Sequence, residues 1–199
     1  MTLLDRILLL LTGLLAAYQI AVGIDGMATP AILAYTIAFG ILLVAGLLII
    51  ILGFDVLDSP VVVMLSTVIP LCLSLGLVWA YLPSFRSLYL VFVIVGFLTI
   101  LATRLIPMHN KVPVIVLALV HGIAGLTIFL LPILFSLAGQ APPGFALVGL
   151  GGALIGVGGL MLALLKAGKP LLSRHAILKI LPGLLLLMTL AFVAGFALA

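Results

Sequence analysis

No Asp, Glu, Lys or Arg occurs between Lys111 and Lys166. A stretch of that length and apolarity has no face to offer to water. A helix needs about 20 mainly apolar residues to cross a bilayer, and this stretch alone is long enough for two. The rest of the chain repeats the pattern. Of 199 residues, 67% are hydrophobic and 6% charged, where soluble chains are roughly half apolar and about a quarter charged. Lipid must therefore be the solvent.

Backbone polar groups in lipid must be satisfied internally, which leaves helices or closed barrels. The apolar runs lack the alternation of barrel strands. The expected fold class is all-α, a polytopic transmembrane helical bundle forming a single transmembrane domain over 1–199. Seven helices are predicted, over residues 7–23, 30–53, 60–82, 87–106, 113–138, 144–165 and 176–198. The N-terminal segment resembles a secretory signal in having one arginine before an apolar stretch. It is long enough to span and is read as the first helix. Asp25 and Gly26, Asp55 and Asp58, Pro83 to Arg86, Pro107 to Lys111, Gly139 to Pro143 and Lys166 to His175 mark the breaks. These links leave no extramembrane domain for a soluble active site. Asp58 or Ser59 is placed to cap the third helix ahead of Pro60.

Short loops rich in Lys and Arg stay in the cytoplasm. Arg6, Arg104, Lys111, Lys166, Lys169 and Arg174 fall on the side of the N-terminus, and Arg86 falls on the other. The expected orientation is N-terminus cytoplasmic and C-terminus on the opposite side. A reporter fused at Ala199 is expected to read as non-cytoplasmic; a cytoplasmic reading would reverse the assignment.

A shift of 112 residues superposes Pro30 on Pro142, Gly40 on Gly152, Gly46 on Gly158 and Pro70 on Pro182. Gly and Pro matches carry weight in an apolar chain because each fixes a backbone feature. They suggest repeat halves 7–82 and 113–198 joined by a linker helix over 87–106, a 3+1+3 parallel arrangement. Transporters of the SWEET type share that layout, but the proline–glutamine dipeptide of the related PQ-loop proteins is missing and no family follows. Retinal proteins share it too. Here Lys179 lies near the inner end of its helix, and the acidic counter-ion a Schiff base wants is absent from the other spans.

Chemistry-bearing residues are sparse. Gln19, Thr67, His121 and Lys179 are the candidate intramembrane polar contacts. His121 has the wider choice of roles, from proton relay to a neutral imidazole bonded to a neighbouring helix. His109 and His175 lie too near the inner surface to pair with it around a haem, and no span gathers metal ligands. Lys179 is about 9 Å past Ser173 and reads as a snorkelling member of the basic rim. Ser66, Ser74, Thr99 and Thr127 are expected to form interhelical hydrogen bonds. Trp79 and Tyr81 fit an aromatic belt. Pro70, Pro132 and Pro182 are candidate hinges. Gly152 and Gly156, spaced GxxxG, mark the sixth helix as a packing helix. The lone Cys72 excludes an internal disulfide.

The four acids, Asp5, Asp25, Asp55 and Asp58, fall at helix ends or in loops, which argues against cation coupling through a buried carboxylate. The basic residues are scattered rather than clustered, which argues against nucleic acid. No catalytic constellation, metal site or cofactor is expected. The leading reading is a non-catalytic subunit or accessory protein of a larger membrane complex, with membrane lipids and other membrane subunits as partners. The alternative is a small transporter or channel for a neutral or lipophilic solute.

Overall fold

The structure, a computed structural model, describes residues 1–106, 111–166, 168 and 171–199, and of Pro60, Val63, Ala163 and Lys166 the backbone alone. The expected inner-surface positions of His109 and Lys169, and of the Lys166 side chain, lie outside the described residues. Among the described residues, seven helices are long and apolar enough to span a membrane, and no strand occurs. The chain is an all-helical integral membrane bundle.

The first helix, α1 (Leu3–Val22), begins earlier than its apolar run suggests. Thr2 Oγ1 accepts the backbone N–H of Asp5 at 3.2 Å, and an Asp5 oxygen accepts that of Thr2 at 2.6 Å. This reciprocal capping box satisfies two donors that a helix start would otherwise leave free. At the other end Gly23, at φ 68°, takes the left-handed turn that stops the helix. The remaining helices are α2 (Thr29–Leu52), α3 (Pro60–Tyr81), α4 (Arg86–Leu105), α5 (Val112–Leu137), α6 (Ala146–Lys166) and α7 (Arg174–Ala197). Three 3-10 turns, over Phe54–Asp58, Pro83–Phe85 and Pro143–Phe145, lead into α3, α4 and α6. Ser59 occupies the N-cap of α3 without a capping side-chain bond. Asp58 does not cap that helix either; its carboxylate turns to Arg174.

The helices close into a ring. α1 packs on α2, α2 on α3, α3 on α5, α5 on α6, α6 on α7, and α7 returns to α1. α4 stands outside, against α3 and α5. The ring is filled by one large apolar cluster. At its centre Phe39 of α2 meets the rings of Phe192 and Phe196 of α7 edge-on, at centroid separations of 6.4 and 6.3 Å. A smaller cluster built on Leu71, Val93, Ile100, Val120 and Ala124 fastens α4 to α3 and α5.

Glycine sets how closely α6 approaches its neighbours. A Cβ on Gly152 would lie 2.9 Å from the backbone nitrogen of Phe129 in α5. On Gly151 it would lie 3.2 Å from the Met188 carbonyl of α7, and on Gly195 of α7 it would lie 2.6 Å from the Val148 nitrogen of α6. Such backbone proximity is how membrane helices gain dispersion energy without a hydrophobic drive between them. Gly152 is thus a packing residue. Gly156 is not: it is exposed, and a Cβ there would meet no atom within 4 Å. One turn further along α6, no neighbouring helix comes within reach of that position.

The small hydroxyls mostly serve their own helices rather than their neighbours. Ser74 donates to Pro70 O at 2.7 Å, Thr99 to Val95 O at 2.7 Å, and Thr189 to Leu185 O at 2.7 Å. Back-bonding of this kind is the nearest option for a short side chain in an apolar medium. Thr127 back-bonds to Ile123 O and also accepts from the Tyr89 hydroxyl of α4 at 3.2 Å, and Ser74 of α3 reaches the same hydroxyl, so both take an interhelical role. Pro70, Pro132 and Pro182 are all buried in helices that run on through them.

Candidate functional site

The helix ends on the face opposite the N-terminus leave an open hollow of about 670 Å³. Small-molecule sites commonly fall at roughly 300–1,000 Å³. Its wall is assembled from the end of α1, the α1–α2 link, the ends of α3 and α7 and the start of α4. Gln19, Asp25, Tyr81 and Arg86 supply polar groups, while Val193 and Phe196 supply an apolar base.

Each polar group is placed by local structure. Gln19 Nε2 donates to Gly23 O at 2.7 Å, so the side chain caps its own helix end and holds the rim in shape. Arg86 Nε donates to Trp79 O at 2.6 Å, and the guanidinium carbon lies 5.7 Å from the centroid of the Trp79 ring. Arg86 also lines the hollow. Trp79 therefore sits where an interface aromatic should, but with a cation over its ring. Tyr81 departs from the belt expected of it. Its ring turns into the bundle, stacked on Phe145 at 4.7 Å and edge-on to Phe135 at 5.6 Å.

Beneath the hollow lies an aromatic floor. Phe196, which lines the hollow, tilts against Tyr35 of α2 at 4.7 Å. Tyr35 is 3% exposed, and its hydroxyl has no hydrogen-bond partner among the described residues. A small hollow of about 10 Å³, bounded by Gln19, Gly23, Tyr35, Thr36 and Phe39, reaches its side. That is about one water in size.

The opposite face is drawn together by charge. Arg174 Nη2 at the start of α7 reaches Asp55 Oδ1 at 3.3 Å and Asp58 Oδ2 at 3.1 Å, in the turn before α3. One guanidinium thus links the α2–α3 connection to the α6–α7 connection. These are the ion pairs found among the described residues, so Asp25 and Arg86 are not paired with each other across the hollow.

The four polar contacts singled out from the sequence do not converge. Gln19 lines the hollow. Thr67 is fully buried in α3. His121 lies about 14 Å along α5 from Val112, and its Nδ1 is 3.1 Å from Leu117 O. A carbonyl can only accept, so Nδ1 carries the proton in that bond, and the partner is its own helix rather than a neighbour. Lys179 is exposed on α7, and a helical side chain leans toward the start of its own helix, which for α7 lies on the face of the N-terminus. No group of three or more His, Cys, Asp or Glu that could hold a metal forms among the described residues. Tyr35, Tyr81, Arg86 and Phe196 were not identified from sequence as members of one site. They come from four helices, and no local spacing joins them. Compared with protein-family models, curated proteins and solved structures, the chain finds no match.

Proposed function

We propose that this chain is a small non-catalytic transporter for neutral, partly apolar solutes, which enter through the hollow above the aromatic floor. The single observation that carries the reading is the hollow itself: about 670 Å³, with polar Gln19, Asp25 and Arg86 and apolar Val193 and Phe196 on its wall, between the ends of α1, α3 and α7. The basic rim on the N-terminal face favours a cytoplasmic position for that face, which would turn the hollow outward. Arg174 with Asp55 and Asp58 then acts as a clasp on the inner side. The carboxylate within the spans, Asp5, is spent on the capping box at the start of α1, which argues for passage down a gradient.

The order of helices in the ring is the one a parallel repeat requires: exchanging α1, α2 and α3 with α5, α6 and α7 maps the ring contacts onto one another, while α4 breaks the exchange by packing on α3 and α5. Pro70 and Pro182 then occupy matching buried positions and would bend as a pair.

The test is stopped-flow light scattering on proteoliposomes, with a series of neutral diols from ethanediol to hexanediol as solutes. Vesicles with the protein should equilibrate at least one diol faster than empty vesicles. Arg174→Ala should change that rate about two- to fivefold, as expected for loss of solvent-exposed ion pairs. Rates equal to those of empty vesicles for the whole series would remove the transport reading. The accessory-subunit reading retains one specific support, the outward strip of Gly156 and Gly159, where a partner helix could approach as closely as α5 approaches Gly152. Stoichiometric co-purification of a second membrane protein, with no solute flux, would establish it.

A further inference from the structure

We infer that the Tyr35 hydroxyl is the hydrogen-bonding determinant of the solute site, and that the site selects small neutral molecules carrying one hydroxyl or carbonyl on an apolar body. The inference rests on reading the hollow as the solute entrance. An orphan phenol is the starting point. Buried polar groups are nearly always hydrogen-bonded, and one left alone carries a desolvation penalty with nothing to offset it. Tyr35 is 3% exposed and its hydroxyl stands unpartnered among the described residues. A phenylalanine would fill the same space without that penalty.

The surroundings point to a ligand rather than to a packing accident. The ring is accommodated by design of the backbone: a Cβ on Gly76 of α3 would lie 2.5 Å from the Tyr35 Cζ, the carbon that bears the hydroxyl. A side chain in place of that hydrogen would displace the ring. On the other side, Phe196 both packs on Tyr35 and lines the hollow. Tyr81 also lines the hollow. One aromatic layer therefore separates the phenol from the space a solute enters. Rotation of Phe196 would open that layer. A solute reaching the phenol would set its apolar body against Phe39 and Phe196 and offer its oxygen to the hydroxyl. Charged solutes are disfavoured there, since the floor has no counter-charge and an ion would leave water for an aromatic box.

Binding tests this without requiring transport. 4-Fluorobenzyl alcohol and 4-fluorotoluene differ by one hydroxyl on the same apolar body. Each is titrated into the full chain in lipid nanodiscs, and binding is read from the fluorine resonance against empty nanodiscs. The native chain should prefer the alcohol by about tenfold, the worth of one buried hydrogen bond. Tyr35→Phe should bring that ratio to about one and leave the fluorotoluene affinity unchanged. It should also raise the melting temperature by about 2–4 °C, because an unsatisfied group has gone. Tyr89→Phe, in α4 outside the ring, should leave the ratio at its native value. A native chain without the preference, or a Tyr35→Phe chain that keeps it, would overturn the inference, as would a fall in melting temperature in that variant. A tenfold preference in a protein that moves no diol would leave the site standing and remove only the transport reading.

Discussion

Replacing Gly152 with leucine is expected to abolish the folded bundle, while replacing Gly156 with leucine is expected to leave it intact. The two positions are one helical turn apart in the same apolar segment and look alike in sequence. They differ in what a side chain would meet. At Gly152 the first added carbon would lie 2.8 Å from the Ile128 side chain and 2.9 Å from the backbone of both Ile128 and Phe129. Backbone cannot rotate away, so α5 and α6 would have to separate, and the contact that joins them is lost along its length. Overpacking that a core cannot absorb costs about 3 kcal/mol or more. That is a large part of the stability of any domain. At Gly156 the new side chain projects into open space, and the change should stay within about 0.5 kcal/mol. Monodispersity in mild detergent and the melting temperature of each variant decide the matter. Equal melting temperatures for both would mean that α5 and α6 do not meet at Gly152.

The second large effect is expected at Phe192. Its side chain is 0% exposed, it meets Phe39 edge-on, and it sits over the notch left by Gly151. Phe192→Ala should destabilise the protein by about 3–5 kcal/mol, the range for deleting a buried aromatic side chain. The loss is one of dispersion contacts, because lipid tails would be as apolar as the ring. Leu187→Ala, on the same helix but 57% exposed, should change little. Urea or thermal unfolding of both variants in the same detergent provides the comparison. A small loss at Phe192 would mean that α2 and α7 collapse onto the gap.

The spans were legible because Leu, Ile and Val runs declare them without help from context. The links were legible from Asp, Pro and Gly. The start of α1 was misjudged because Thr2 and Asp5 look like a polar leader until their mutual hydrogen bonds are seen. Gly152 and Gly156 could not be told apart, since a GxxxG spacing says that two glycines share a face and not which of them meets a neighbour. Tyr81 could not be distinguished from Trp79 as a belt residue, because both sit near the same helix end and differ in which way the ring turns. The hollow had no sequence signature at all. Gln19, Asp25, Arg86 and Phe196 lie in separate segments and become neighbours through ring closure. Tyr35, in AILAYTIAF, reads as an ordinary aromatic in a span. Its distinction is a hydroxyl without a partner, a property of three-dimensional surroundings and not of spacing.

The closure of the ring has a mechanical consequence. Every contact in it but two joins helices that follow each other directly in the chain. Of those two, α3 and α5 are tethered through α4, whereas no loop of this chain bridges α1 and α7 on either face. Parting α1 from α7 therefore stretches no connection, and the seam ends at the hollow, with Gln19 on one lip and Val193 on the other. The bundle resembles a split sleeve more than a tube. A widening of that slit would face the hydrocarbon of the bilayer. Under the proposed transport function, a partly apolar molecule resting on the aromatic floor would then have a sideways exit into lipid.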